Sequence, residues 1–380
     1  MKYQKTLAVL AGLTFAGALT QAQIAIGDNL TVSGFVDASY TDSETGATDN
    51  TAINVDEVEI DFAFSFDSVS AEIHLESKGS GVELEQAFVS TDLGGITVTA
   101  GRMLNLLGFE ADEPTGLLTY SKAYSNNSND NYNPGSQYND GIRGSFSQGD
   151  FSISGSITDN VYAGADYGDG DRDELGYDIQ VTYTGIENLS ISLGYANDGD
   201  VDDGITAATA AGVAAGVESL AVGGLAAAAD AAAEAASLAA GGTAAEAAAA
   251  GAAAGAVQAA IDTAEAAAAS AAGIGTISNI FNISAAYSLG QLTLAGEYND
   301  FEENSGGYAK DGDSYLLLAN YAVNDDLSLT LRHAEVDLDG SSNDREKTTI
   351  AAGYTVSDNL STVVEYSTGE TGTTDHDVFA

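Results

Sequence analysis

Residues 55 to 77, "VDEVEIDFAFSFDSVSAEIHLES", place acidic side chains at every second position. Glu57, Glu59 and Asp61 share one parity, opposite Val58, Ile60, Phe62, Phe64 and Phe66; after Asp67 and Ser68, Glu72, His74 and Glu76 stand opposite Val69, Ala71, Ile73 and Leu75. Carboxylates gathered on one face draw cations to it. Acid–base or nucleophilic work would instead need a base and a nucleophile within reach of each other. The chain has three histidines: His74 on the acidic parity, His333 on an apolar one, and His376 near the end of the sequence. Their spacing yields no Ser, His and acid arrangement, so no catalytic residue and no cofactor is assigned. With no cysteine, thiolate metal sites and disulfides are excluded.

Two other acidic groups, Asp166, Asp169, Asp171 and Asp173, and Asp198, Asp200, Asp202 and Asp203, are spaced like calcium loops. Neither has Gly at the sixth place and Glu at the twelfth, so an EF-hand is not supported and no metal residue is assigned. Weak Ca²⁺ binding on these loops stays open.

The elements that carry these residues are β-strands, because a period of two runs through nearly the whole chain. Leu30, Val32, Val36, Ala38 and Tyr40 oppose Thr31, Ser33, Asp37 and Ser39. Cleaner rows follow at Tyr177 to Tyr183, Leu189 to Tyr195, Phe281 to Tyr287, Leu292 to Tyr298, Leu327 to Leu331 and Leu360 to Tyr366.

Lys2 and Lys5 precede an apolar run from Leu7 to Leu19 that ends at Thr20, Gln21 and Ala22. This reads as a secretory signal peptide over 1–22, leaving 23–380 as the folded domain. The whole chain carries −46, and removal of the two lysines takes it to −48. Such a charge excludes nucleic acid and an anionic bilayer surface as partners. No segment after the leader has the 18 or more bulky apolar residues of a spanning helix, but spanning strands need none.

Short turns at 67–68, 92–95, 148–150, 185–188, 289–290, 324–326 and 357–359 alternate with longer polar segments at 42–52, 77–81, 108–139, 159–174, 197–275, 300–312, 337–346 and 369–375. That alternation describes an antiparallel up-and-down meander with turns at one end and loops at the other. Counting gives fifteen strands, with a sixteenth beginning at "DHDVFA". Because single-chain bacterial barrels close with even numbers, the expectation is about 16 strands with the last one truncated; a miscounted strand pair near 77–82 is the alternative. Residues 206–272 form an Ala-rich low-complexity insertion within outer loop 5, punctuated by Gly223, Gly224, Gly241 and Gly242. Alanine favours helix. The insert is then a helical hairpin at the pore or a surface decoration, and alanine's small buried area favours the second.

A soluble β-sandwich also alternates. Strands of about ten residues, Tyr40, Tyr195, Tyr298 and Tyr366 at the loop ends, and the lack of any helical layer outside the insert favour a transmembrane barrel instead. The segments "LTVSGFVDASY", "VSTDLGGITVTAGRMLNLLGFEADEPTG" and "NPGSQYNDGIRGSFSQGDFSISGSI", with the leader, resemble Gram-negative outer-membrane β-barrel porins, in particular the OmpL-like putative porins. The likeness runs through the strands but not the Ala-rich insert. It implies an outer-membrane channel for passive diffusion of small hydrophilic solutes or ions, embedded in outer-membrane lipid and commonly oligomeric, with a homotrimer as the assembly to test. A barrel hydrolase and a structural or adhesive surface protein are the competing readings.

If the apolar parity meets lipid, the other lines a pore: Asp37, Glu57, Glu59, Asp61, Glu72, Glu76, Glu83, Glu85, Asp178, Glu297 and Glu365 are acidic, Arg143 and Arg332 basic. Rings of Asp and Glu point to cation preference in a narrow channel, whereas in a wide one they are simply solvated. In general porins the third loop folds into the barrel as the constriction, so the resemblance implies the same for 108–139, with Glu110, Asp112, Glu113 and Lys122 facing Arg143 on the next strand. Its "SNNSNDNYNPG" run reads equally as exposed surface. Arg102 shares the parity of Ile96, Val98 and Ala100, which points it at lipid at a cost of about 2 to 4 kcal/mol near the midplane. A bulge at Gly101 or an interfacial position would relieve that.

Overall fold

The alternation becomes seventeen strands in the computed structural model, which describes residues 23–79, 81–124, 138–159, 175–197, 279–301, 312–338 and 344–380. They are β1 (Ile24–Ile26), β2 (Leu30–Thr45), β3 (Thr48–Ser65), β4 (Val69–Ser77), β5 (Glu83–Asp92), β6 (Ile96–Leu104), β7 (Tyr138–Gln148), β8 (Phe151–Thr158) and β9 (Gly176–Ile186). β10 (Leu189–Asn197), β11 (Asn279–Leu289), β12 (Leu292–Phe301), β13 (Gly312–Ala322), β14 (Leu327–Leu338), β15 (Arg345–Ser357), β16 (Leu360–Thr371) and β17 (Thr374–Phe379) complete the order. From β2 to β17 each strand pairs antiparallel with the next, and β17 returns to β2. The result is a closed sixteen-stranded barrel. β1 stands outside the ring, paired along β2 from Ile24↔Val32 to Ile26↔Leu30.

The two parities separate cleanly. Val36, Leu317, Leu331, Ile350 and Val364 are more than half exposed on the outside, while Arg332, Thr349, Glu365 and Asn282, on the opposite parity, are fully buried inside. A continuous apolar exterior around a ring of strands is stable against lipid and not against water. Among the described residues no helix is long and apolar enough to cross a membrane.

The expected connections at 42–52 and 369–375 are corrected to tight hairpins. β2 and β3 pair on to Thr45↔Thr48, and β16 and β17 on to Thr371↔Thr374, around Gly46 (φ 60°) and Gly372 (φ 61°). Both hairpin ends are polar on both faces, so an apolar period cannot reveal them. β17 is the sixteenth stave, at the place where the sequence began one. It pairs with β2 only from His376↔Thr45 to Phe379↔Asp42. Between that contact and β1, residues 33–41 of β2 have no ladder partner on this edge among the described strands. The leader and the Ala-rich insertion, with its expected helices, lie outside the described residues, as do both calcium-like acidic groups of the long loops.

Candidate functional site

The segment from Asn105 to Tyr124, after β6, leaves the wall and crosses the barrel interior. Its contacts trace the route. Leu106 donates its backbone N–H to Asp178 on β9 (2.9 Å) and accepts from the Gln180 amide with its carbonyl. Glu110 meets Arg332 on β14 at 2.6 Å. The backbone N–H groups of Tyr120 and Ser121 donate to Glu365 on β16 (2.7 and 3.1 Å), and the Tyr120 hydroxyl donates to Ser39 on β2 (3.2 Å). Lys347 on β15 donates to the Lys122 carbonyl, and Tyr124 donates to Glu297 on β12 (2.8 Å). Leu107, Phe109, Ala123 and Tyr124 pack with Ala196, Ile280, Leu316 and Val336 into the apolar cluster that seats the segment. Gly194 on β10 makes room for it, since a Cβ there would lie 2.2 Å from Leu107 Cδ2.

These contacts explain why so many inward charges are buried. Asp178, Glu297 and Glu365 receive N–H or O–H donors from the segment, and Arg332 is enclosed by it: Nη1 donates to Glu110, Thr119 and the Ser121 carbonyl, and Nη2 to Ser121 and Thr349. The guanidinium that meets the loop's carboxylate is thus Arg332. Arg143 instead donates to Ser156 (2.8 Å) and to the Leu104 carbonyl (2.6 Å) on its own side of the wall. Asp112 pairs with Lys122 within the loop and accepts from Tyr138.

On the wall formed by β3, β4 and β5 the expected acids converge. Glu57, Glu59, Asp61, Glu76 and Glu85 are all buried, Glu72 is half-buried beside them, Asp37 is half-buried on β2, and Glu83 is exposed at the rim. Lys78 pairs with Glu57 (3.6 Å) and Glu76, and His74 lies 3.1 Å from Glu59 and 3.4 Å from Asp61 through Nδ1 and 3.2 Å from Glu72 through Nε2. Glu113 approaches from the inward segment. Burial, a hydrogen bond shared with Glu59 and the charges of Glu85 and Glu57 together raise its carboxyl far above the ordinary range, since crowded carboxylates cannot all ionise.

A bulge aims Glu85 into this group. β4 pairs His74↔Gln86 and then Leu75↔Leu84, so Glu85 is skipped, and the β5–β6 ladder begins only at Ala87↔Arg102. Arg102 Nε donates to the carbonyl of Glu85 (3.0 Å), and Nη1 lies 3.7 Å from Asp140. That satisfies a guanidinium on the lipid-facing parity. Gly101 (φ 131°) permits the approach, where a Cβ would lie 2.2 Å from the Ala87 carbonyl oxygen.

Parity missed Arg345 and Lys347, which are buried inside. The outward Ile350 on the same strand is the signal that could have found them. Asn282, which donates to Glu297 and Asn299, and Asn299, which donates to Tyr124 and Ser314, were not singled out because their residue type is common in loops.

Comparison with known proteins follows from this geometry. The model of the Gram-negative porin family matches residues 237–374, which include strands β11 to β16. The fold is that of an outer-membrane porin. OmpF of Salmonella typhi, solved in complex with daunomycin, aligns over 94% of this chain and 98% of its own at 11% identity, TM-score 0.55. The outer-membrane channel DcaP of Acinetobacter baumannii aligns over 94% and 99% at 10% identity, TM-score 0.55. The anion-selective porin of Comamonas acidovorans aligns over 92% and 97% at 13% identity, TM-score 0.54. No curated protein matches by sequence. Family match and porin fold together locate the protein in the outer membrane.

Proposed function

We propose that the protein is a non-enzymatic porin through which small hydrophilic solutes or ions diffuse passively, with a preference for cations. The channel itself has the support of the family match and the porin fold. One observation carries the preference: the inward parity holds many carboxylates, several of them concentrated on β3 to β5, against few cationic side chains. Carboxylates ringing a narrowed path lower the energy of a passing cation and raise that of an anion. The Comamonas porin, of related fold, is anion-selective. The fold therefore does not fix the sign of selectivity, and in this reading the interior charge does.

The inward segment with Glu110, Asp112, Glu113 and Lys122 serves as the constriction in this reading, pinned by Arg332. Outer-membrane lipid surrounds the apolar exterior, and a homotrimer is the assembly that the family resemblance implies. The test is conductance in a planar bilayer with a KCl gradient across it. Stepwise openings with a reversal potential displaced toward that of K⁺ are expected. Absence of channel events would sink the channel, and a displacement toward Cl⁻ would sink the cation preference.

A further inference from the structure

We propose that Glu59, His74 and Glu85, completed by Glu57 and Glu113, form a binding site for a divalent metal cation between the barrel wall and the inward segment. The observation that points to a ligand is Glu85. Its side chain is 1% exposed, and both carboxylate oxygens are buried without a hydrogen-bond partner. The nearby hydroxyl of Tyr138 has one proton, which goes to Asp112. A buried carboxylate with no hydrogen-bond donor is costly, so such a group persists where something else completes it.

The neighbours supply the rest of a coordination shell. Ligand atoms of Glu59, His74 and Glu85 all lie within 4.8 Å of one another, and so do those of Glu57, Glu59, Glu85 and Glu113. Oxygens at about 2.3 to 2.6 Å from an ion lie no more than about 5 Å apart across it, so each of the two groups, which share Glu59 and Glu85, has the size of a shell. Among the described residues the cations of this wall, Lys78 and His74, form their ion pairs with Glu57, Glu76, Glu59, Asp61 and Glu72 and none with Glu85. Nε2 of His74 faces Glu72 at 3.2 Å, a carboxylate that can orient the imidazole, while Nδ1 faces Glu59 (3.1 Å), Asp61 (3.4 Å) and the Gln86 amide (3.3 Å), contacts that an ion held by Nδ1 would replace. The bulge that removes Glu85 from both ladders turns it inward beside Gln86, and bulges commonly re-aim side chains at sites.

Two carboxylates with one imidazole, joined by further carboxylates from the second group, fit a hard to borderline divalent ion such as Mn²⁺, which accepts both ligand types. Since Glu113 comes from the inward segment and the others from β3 to β5, an ion here ties that segment to the acidic wall. The site does not depend on the channel reading, and each fails by a different measurement.

The experiment is Mn²⁺ titration of the folded, chelator-treated, detergent-solubilised protein, with free Mn²⁺ followed by its electron paramagnetic resonance. Saturable binding of one ion per chain, with nitrogen coupling in the pulsed spectrum, is expected. Glu85→Gln should weaken binding at least about tenfold, His74→Gln should abolish the nitrogen coupling, and Glu187→Gln, in an exposed turn, should change neither. Absence of saturable binding, or binding by the wild type without nitrogen coupling, overturns the site. So does a Glu85→Gln variant that binds with unchanged affinity. The spectrum of the wild type decides the matter if a variant does not fold.

Discussion

Arg332 shows what a single inward charge does in this barrel. Its guanidinium joins one wall strand to Glu110, Thr119 and Ser121 of the inward segment and to Thr349 of the adjacent strand, with the side chain fully buried. Removing it leaves Glu110 as an uncompensated buried carboxylate, a loss on the order of 3 to 5 kcal/mol. Arg332→Ala should therefore lower the thermal unfolding midpoint in detergent and make the open channel noisier as the segment loosens. Arg332→Lys should behave similarly, because one ammonium cannot reach the donors' four separate partners in the plane the guanidinium spans. A variant with wild-type stability and quiet openings would refute the anchoring role. The residue was legible in the sequence by parity, but its partner was not: alternation says which face a side chain takes and nothing of the route a loop follows across the interior. The pairing of Arg143 with the loop carboxylates was expected for that reason, from nearness in sequence alone, whereas the pairing that forms joins residues 222 positions apart.

At the scale of elements, the strands were readable wherever one face is apolar and unreadable where both are polar, as at the hairpin ends around Gly46 and Gly372. Strict alternation also cannot register an extra residue, and the bulge at Glu85 is such a residue. Arg102 was the one sign of it, a charge on the wrong parity whose explanation lay on the neighbouring strand. Gly101→Ala tests this joint. A side chain at φ 131° with its Cβ 2.2 Å from the Ala87 carbonyl oxygen strains the backbone by roughly 1 to 3 kcal/mol, so the urea midpoint should fall while an alanine at Gly144, where a Cβ meets open space, leaves it nearly unchanged. Equal midpoints for the two variants would mean that β5 and β6 do not need their close approach.

For the whole molecule, the question is how a chain of −46 distributes its charge. The carboxylates of Asp178, Glu297, Glu365 and Glu110, sealed beneath the inward segment, are matched by N–H or O–H donors or by the Arg332 guanidinium, so they act mainly on structure. The carboxylates that a passing ion meets are those that keep solvent access, among them the half-buried Asp37 and Glu72 and the exposed Glu83. Their influence reaches across water and must obey screening, with a Debye length of about 10 Å at 0.1 M salt and about 3 Å at 1 M. Cation preference should therefore be strong at 0.1 M KCl and weaken markedly at 1 M. The combined Asp37→Asn, Glu72→Gln and Glu83→Gln variant should already show the weakened preference at 0.1 M, with only a small loss of stability, because the one described ion pair it breaks is the half-buried contact of Glu72 with His74. Reversal potentials at the two salt concentrations measure both effects. A preference that ignores salt and survives the triple substitution would have to originate in the deeper Glu57, Glu59 and Glu85 cluster, where the low-dielectric surroundings screen little and the selectivity would be that of a bound ion and not of a charged wall.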